Sequence, residues 1–246
     1  MRVFTHKERP DLEEKLNDFG DDLWIELIFH TEYGYHYYHH VWSTFADFNF
    51  YLGDDEENIV AAGIAIPLVW DGQVEHLPQG WDDALKQGVL NHERGIQPNT
   101  LCALATMVRK SKHGQGLSKY VIRAMKTLAL KHGLFQFIAP VRPTQKHQYP
   151  LTPMERYMSW KREDESPFDP WLRAHWKEGG IIAKSAPKSM VTKGSVSQFE
   201  QWAKMQFPES GTYVVPGALH TVTINREEDT ALYEEPNVWV VCNDIR

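Results

Sequence analysis

The stretch that decides the fold is TLCALATMVRKSKHGQGLSKYVIRAMKTLALKHGLFQFIAPV, residues 100–141. It opens with an unbroken apolar run, Thr100–Val108, which predicts a central strand. Residues 117–132 repeat apolar side chains at helical spacing, and Gly133 follows them where a helix commonly ends. A second apolar run over residues 134–141 predicts another strand. Strand, helix and strand in this order predict a βαβ unit.

Further elements are predicted on both sides of this unit. Apolar spacing indicates helices over residues 11–19, 81–93, 152–161, 170–178 and 197–206, and strands over 48–52, 58–70, 214–224 and 238–241. Residues 22–30 fit a strand or a buried helix, because periodicity cannot separate the two. The predicted class is therefore α+β (α/β): a mixed sheet flanked by helices, with one parallel crossing and late antiparallel strands.

Composition excludes several classes of protein. The 246 residues carry 26 Lys and Arg against 33 Asp and Glu, a net charge of −7, which argues against a nucleic-acid partner. No run approaches the roughly 18 apolar residues of a membrane span, and the N-terminus lacks the apolar segment of a signal peptide. The two cysteines, Cys102 and Cys242, lie far apart and predict reduced thiols in a cytoplasmic protein.

The loop between the first strand and the helix carries the clearest chemical signal. Residues 107–119 read MVRKSKHGQGLSK and combine several cations with Gly114 and Gly116. Free N–H groups and the helix dipole at such a turn favour an anion, so a phosphate-bearing ligand is predicted. The spacing supplies no P-loop. A dinucleotide fingerprint is weak too, because Lys119 stands where its third glycine would be.

This loop resembles the acetyl-CoA-binding segment of the GNAT superfamily, the Gcn5-related N-acetyltransferases. The family motif is Q/R-x-x-G-x-G/A between a strand and a long helix, and Ser111 here replaces its first Gln or Arg. The order of elements is also similar over about residues 48–160. The resemblance implies a mostly antiparallel sheet with one parallel, splayed strand pair. It also implies a single enlarged domain over residues 1–246, with a CoA-binding core at 48–160 and a C-terminal extension at 161–246.

The resemblance further implies that acetyl-CoA or another acyl-CoA is the cosubstrate, with no metal. The pyrophosphate would lie on the amides of the glycine loop, and the pantetheine arm would pair with the end of the preceding strand. The implied CoA-binding residues are Met107, Val108, Arg109, Lys110, Ser111, Lys112, His113, Gly114, Gln115, Gly116, Leu117 and Ser118. The implied acceptor is an amine of a small molecule or peptide, and the resemblance is compatible with a homodimer.

Direct acyl transfer needs an acid for the leaving thiolate and a base for the amine. Family members often use a tyrosine of the helix after the second strand as the acid, which implies Tyr157, with Tyr149 as the alternative. For the base, Glu75 and its neighbour His76 follow an earlier strand, and His147 follows the second strand of the βαβ unit. These residues stay open as alternatives at this point.

Two other functions compete with acyl transfer. A non-catalytic acyl-CoA-binding or sensing module on the same fold is compatible with Ser111 and with the lack of an obvious base. A metalloenzyme is suggested by His36 and His40, whose i, i+4 spacing can bind a metal on one helix. Aromatic packing or substrate contact by the cluster at residues 35–40 explains these histidines better, because no further metal ligands are apparent.

Overall fold

One mixed sheet organises the part of the chain that the computed structural model describes, residues 1–19, 24–54 and 58–246. Its strands are β1 (Arg2–Thr5), β2 (Phe50–Gly53), β3 (Ile59–Leu68), β4 (Thr100–Val108), β5 (Gln136–Val141), β6 (Ile181–Gly194), β7 (Gly211–Tyr213), β8 (Val222–Asn225) and β9 (Thr230–Cys242). They lie in the order β1-β2-β3-β4-β5-β9-β8-β7, and β6 pairs with β9 along the opposite edge of β9. The β4–β5 pair is parallel and the other described pairs are antiparallel, which confirms the predicted fold class.

Helices cover both faces of this sheet. In the described residues the α-helices are α1 (Glu32–Tyr37), α2 (His39–Trp42), α3 (Trp81–Glu93), α4 (Leu117–Lys131), α5 (Met154–Met158), α6 (Pro170–Lys177) and α7 (Val196–Ala203). Short 3-10 segments lie at Pro10–Phe19, Glu26–His30, Ala46–Phe48, Val74–His76, Lys110–Lys112 and Lys146–Gln148. No helix of the described residues is long and apolar enough to span a bilayer.

Two buried clusters define the faces of the sheet. On the first, which we call the α4 face, Val121 and Met125 of α4 pack against Phe137 of β5 and Val240 of β9. On the opposite side, the α3 face, Leu85 of α3 packs in one cluster with the alternate residues of the same strands, among them Ile138, Trp239 and Val241. The period of two along β5 and β9 therefore sends neighbouring side chains into different cores.

The βαβ unit forms as its sequence predicts, because α4 and β5 begin and end within two residues of the expected positions. The predicted strand over residues 214–224 is wrong. Pro216 and Gly217 interrupt it, Gly217 has φ +82°, and only Val222–Asn225 is extended. Of the predicted segment 22–30, residues 22 and 23 lie outside the described residues, and Glu26–His30 forms a 3-10 turn.

Sequence periodicity missed β6, the longest described strand. Its sequence, IIAKSAPKSMVTKG, mixes apolar residues with lysines, serines and Pro187. The pairing with β9 shifts register between Ile182 and Lys184 and again between Ala186 and Met190, so no single alternation runs through the strand.

Candidate active site

The parallel strands β4 and β5 separate after a short paired region. They pair at Thr100–Gln136, Leu101–Phe137 and Cys102–Ile138 only. Beyond Cys102, β4 continues to Val108 with β3 on its other side, as the pairing of Ala61 with Val108 shows. The edge of β4 that faces β5 is therefore open over this stretch, and its backbone groups can pair with an extended ligand.

A bulge lies at the start of this open edge. Ile64 of β3 faces Ala105, whereas the next residue, Ala65, faces Ala103, so Leu104 is the extra residue on β4. The bulge comes two residues after the last residue of β4 that pairs with β5. A bulge turns backbone groups out of the regular ladder, and here it does so at the point where the two strands diverge.

Two side chains hold the bulge in place. On β4, the indole Nε1 of Trp81, the first residue of α3, donates to the carbonyl oxygen of Leu104 at 2.8 Å. On β3, the backbone N–H of Ala65 donates to Oδ1 of the fully buried Asn49 at 2.8 Å. The amide nitrogen of Asn49 donates to two further backbone carbonyls, so its hydrogen bonds connect the bulge to the preceding turn. Neither contact could be predicted from local sequence patterns.

The glycine loop presents an open surface at the N-terminus of α4. Gly114 has φ +78° and Gly116 has φ +72°, and a Cβ built on either one meets no atom within 4 Å. Gly116 precedes α4 without any side-chain cap, so the first-turn N–H groups that begin at Leu117 have no capping side chain. These features fit a pyrophosphate group, because exposed amides and the helix dipole both favour an anion.

The predicted cations divide into two groups. Arg109 turns back from the loop: its Nε donates to the carbonyl of Ile59 at 3.1 Å, and its guanidinium lies 5.3 Å from the ring centre of Phe19. The side chains of Lys110 and Lys119 are exposed around the loop. His113 is exposed as well, and its Nε2 lies 2.8 Å from the carbonyl oxygen of Val108. The remaining predicted CoA-binding residues lie along the same strand and loop.

The predicted acid, Tyr157, is fully buried in α5. Its hydroxyl donates to Oδ2 of Asp169 at 2.9 Å, and burial together with that carboxylate raises the pKa of Tyr157 well above its ordinary value. Asp169 also caps α6 with its other oxygen. The alternative, Tyr149, is half-buried, and its ring packs edge-on against Trp160 with 4.9 Å between ring centres.

The other predicted catalytic groups lie in separate places. His147 is exposed, and its Nδ1 lies 3.0 Å from the carbonyl oxygen of Thr144. Glu75 is exposed in the 3-10 turn that follows β3. Because Leu68 at the end of β3 pairs with Thr100, this turn follows the end of β3 that lies beside the paired start of β4. The structure therefore does not bring Glu75 and His147 together with Tyr157 as one cluster of side-chain contacts.

The burial of Lys146, next to His147, was not predicted from the sequence. Lys146 is fully buried, and its Nζ donates to the carbonyls of Tyr149 at 2.8 Å and Leu219 at 2.6 Å. Burial lowers the pKa of this ammonium group to about 8. The run from Thr144 to Tyr149 reads as polar in sequence, so nothing in it signals which residue turns inward.

A buried charge pair also lies near the open end of β5. Arg142 follows β5, and its Nε donates to Oε1 of the fully buried Glu235 at 2.8 Å. The hydroxyl of Tyr233 donates to the other carboxylate oxygen at 2.8 Å. Because both oxygens of Glu235 are paired, this carboxylate is held in place and is not a free base.

The histidine pair considered for a metal lies on two helices. His36 belongs to α1 and His40 to α2, and Nδ1 of His40 lies 3.0 Å from the hydroxyl of Thr44. Among residues 1–19, 24–54 and 58–246, no group of three or more His, Cys, Asp or Glu side chains is placed to hold a metal ion.

Comparison with curated proteins identifies a relative over nearly the full chain. The sequence is 30% identical, over 272 aligned residues, to the arginine N-acetyltransferase avaD of Aspergillus versicolor, with 96% of this chain and 92% of that protein covered. No family model matches the sequence.

Solved structures resemble the fold over its whole length. The loading GNATL domain of CurA from Lyngbya majuscula superposes with a TM-score of 0.58 at 15% identity, covering 99% of this chain and 97% of that one. The GphF GNAT-like decarboxylase in complex with isobutyryl-CoA gives a TM-score of 0.56 at 13% identity, covering 100% of both chains. At these identities the likeness shows the fold alone, since one fold supports several chemistries.

Proposed function

This chain belongs to the GNAT superfamily and is an acyl-CoA-dependent N-acyltransferase, and from that premise we propose that it transfers an acetyl group from acetyl-CoA to the amine of an amino-acid-like small molecule. The observation that carries the proposal is the opening of β4 from β5 beside the glycine loop of α4. The name of the avaD relative supports arginine as the first acceptor to test.

The donor site in this proposal follows the open edge of β4. The amides of residues 112–117 hold the pyrophosphate, and the backbone of residues 107–109 pairs with the pantetheine arm like an added strand. Acetyl-CoA supplies an activated acyl group, whose carbonyl would lie beside the bulge at Leu104. A backbone fixed by Trp81 and Asn49 can position that carbonyl without reorganising during the reaction.

The reaction forms one bond and breaks one. The amine nitrogen attacks the thioester carbonyl, the carbon–sulfur bond breaks, the nitrogen loses a proton and the thiolate gains one. We assign the thiolate's proton to the hydroxyl of Tyr149, because this side chain is half-buried whereas Tyr157 donates to Asp169. His147 and Glu75 are the proposed proton acceptors, directly or through water, since both side chains are exposed; Glu75, beside the paired start of β4, would need the water.

Two further observations support the proposed cytoplasmic location and the proposed anion site at the glycine loop. Cys102 and Cys242 are buried free thiols, as expected for a protein of the reducing cytoplasm. The exposed backbone of the glycine loop supports an anion site even though Ser111 replaces the usual Gln or Arg, because amides rather than that side chain supply the hydrogen bonds.

The test is thiol release from acetyl-CoA in the presence of L-arginine, with the acetylated product identified by mass spectrometry. The proposal predicts equal amounts of free CoA and acetylated amine. CoA binding without turnover on any amine would instead establish the sensing module. Loss of carbon dioxide from an acyl-CoA with a free carboxylate, without amine acetylation, would establish the decarboxylase chemistry named for one fold neighbour.

A further inference from the structure

Lys146 is the only buried lysine of the described residues, and the proposed reaction gives it no role. Burial lowers the pKa of its ammonium group to about 8, so the group still carries its charge at pH 7. Both of its hydrogen bonds go to backbone carbonyls and not to a carboxylate. A buried charge without an opposite charge is costly, which points to a role that an apolar side chain could not fill.

The ammonium group of Lys146 joins two segments beyond the end of β5. Its Nζ donates to the carbonyl of Tyr149 at 2.8 Å and to the carbonyl of Leu219 at 2.6 Å. Leu219 is held in turn, because its backbone N–H donates to the hydroxyl of Tyr233 in β9 at 3.0 Å. Nζ also lies 5.9 Å from the ring centre of Tyr157. Lys146 therefore fastens the turn after β5 to a loop that is itself bonded to the sheet.

Both backbone polar groups of Tyr149 are bonded to Lys146. The N–H of Tyr149 donates to the carbonyl of Lys146 at 2.8 Å, and its carbonyl accepts from Nζ. That carbonyl also accepts from the N–H of Thr152 at 3.0 Å. At the start of the same turn, the backbone N–H of Gln145 donates to Oδ2 of Asp169 at 2.8 Å. The turn is thus held at both ends, which fixes the direction in which Tyr149 leaves it.

Ring contacts restrict the side chain of Tyr149 as well. Its ring centre lies 4.9 Å from that of Trp160 and 6.0 Å from that of Tyr157. Tyr149 is half-buried, so part of it stays accessible to a ligand. The backbone bonds and the ring contacts together confine the hydroxyl to a small region. A proton donor to a single sulfur atom needs such confinement, because proton transfer requires the two atoms within hydrogen-bond reach.

We propose that Lys146 is a positioning residue for acyl transfer: its ammonium group fixes the backbone of Tyr149, so that the Tyr149 hydroxyl is held where it protonates the leaving thiolate. The inference rests on the proposed N-acetyltransferase function and on Tyr149 as its acid. Lys146 itself touches no substrate, because it is fully buried. An ammonium group suits the role, since its three N–H donors can bridge two carbonyls with charge-assisted hydrogen bonds.

The first experiment compares K146M with the unchanged enzyme by thiol release with L-arginine. Methionine is similar in length but has no donor, so kcat should fall about 10-fold while the KM for acetyl-CoA stays within about 2-fold. The matched control is K126M, because Lys126 of α4 also donates to a backbone carbonyl, that of Glu178, at 2.6 Å. K126M should keep kcat within about 2-fold. Equal kcat values for K146M and K126M would overturn the proposal.

A double-mutant cycle shows whether Lys146 acts through Tyr149. Once Y149F has removed the hydroxyl, its position no longer matters, so K146M should lower kcat by less than about 2-fold in Y149F. In Y157F, which keeps the Tyr149 hydroxyl, K146M should still cost about 10-fold. A residue that merely stabilises the fold would lower kcat by the same factor in all three backgrounds, and that result would also overturn the proposal.

The outcomes separate this inference from the proposed function. If the unchanged protein acetylates no amine, the N-acetyltransferase proposal fails before any variant is compared. If acetylation proceeds and Y149F keeps full kcat, Tyr149 is not the acid and the role of Lys146 fails with it, while acyl transfer stands. Circular dichroism shows whether K146M folds. If it does not, K146Q, which keeps an amide donor, takes its place in the cycle and the same two results decide.

Discussion

The indole Nε1 of Trp81 donates a 2.8 Å hydrogen bond to the carbonyl oxygen of Leu104, and so joins the first residue of α3 to the bulge of β4. That bond ties the α3 face of the sheet to the place where β4 leaves β5. A bulge with an unpaired carbonyl would be free to relax, so the indole sets the direction of the neighbouring backbone groups.

Replacing Trp81 by Phe removes this bond and keeps most of the ring volume. We expect kcat to fall about 10-fold because the bulged backbone no longer holds the thioester carbonyl in one orientation, while the KM for acetyl-CoA changes little. Steady-state thiol release measures both quantities. W176F is the matched control, and equal kcat values for W81F and W176F would remove Trp81 from the positioning of the bulge.

Asn49 holds the β3 side of the bulge by accepting from the backbone N–H of Ala65. Its three hydrogen bonds are all buried, so N49A leaves the N–H of Ala65 and the carbonyl of Val41 without this partner, while the carbonyl of Phe45 keeps the N–H of Phe48. The free energy of unfolding should fall by about 2–4 kcal/mol, as expected when a buried network loses its central member. Urea unfolding gives this value. N243A, at an exposed asparagine, should stay within about 0.5 kcal/mol, and an equal effect of the two substitutions would contradict the role of Asn49.

Removing the hydroxyl of Tyr157 should affect mainly stability, whereas removing that of Tyr149 should affect mainly kcat. Y157F leaves Asp169 with one hydrogen bond fewer in a buried place, so the free energy of unfolding should drop by about 1–3 kcal/mol while kcat stays within a few-fold. Y149F should lower kcat by about 10-fold or more with little change in stability, because it removes the proposed proton donor. Thermal unfolding and thiol release separate the two. A kcat loss in Y157F and none in Y149F would reverse the assignment.

Because of Asp82, the free energy of unfolding should fall as the pH rises through the weakly acidic range. Burial raises its pKa from 3.8 to about 6, with a smaller contribution from Asp83 and Glu32. The folded chain therefore holds this proton more tightly than the unfolded chain, so stability is lost as the pH rises from about 4 to about 6. D82N removes that loss and should unfold at higher urea than the unchanged protein at pH 7.5, by about 1–3 kcal/mol.

At pH 4.5 the same two proteins should differ by less, since the carboxyl of Asp82 is largely protonated there in the folded state. E209Q, at an exposed carboxylate far from Asp82 in sequence, is the control. A D82N variant that is less stable than the unchanged protein at pH 7.5 would show that the carboxylate, as a charge, stabilises the fold.

Local sequence signals predicted the elements that carry the proposed donor site. The apolar run of β4, the helical period of α4 and the two glycines between them each depend on neighbouring residues, and the structure forms all three. The division into a core at 48–160 and an extension at 161–246 stays a prediction. The single sheet that joins β5 to β9 supports treating them as one domain.

The contacts that join α3 to β4, β6 and β9 could not be predicted in the same way. These hydrogen bonds join segments far apart in sequence, so no periodicity predicts them. They link Trp81 with Leu104, Asp82 with Val191, and Ser189 with Asn237. Trp239 reads as one more apolar residue of a strand until its indole N–H is found buried without a partner. Ionisation also depends on burial, so neither Asp82 nor Lys146 stands out among the charged residues of the sequence.

The central claim is that acetyl-CoA binds on the glycine loop of α4 and donates its acetyl group to an amine beside the opening of β4 from β5. Its most direct test is calorimetric titration of acetyl-CoA, followed by product analysis with L-arginine, for the unchanged protein and for G116V. Gly116 has φ +72°, so a branched side chain there strains the turn and fills the open surface above it. The account predicts saturable binding and acetylated arginine for the unchanged protein, with at least about 100-fold weaker binding for G116V. Equal acetyl-CoA affinity in a folded G116V would contradict it.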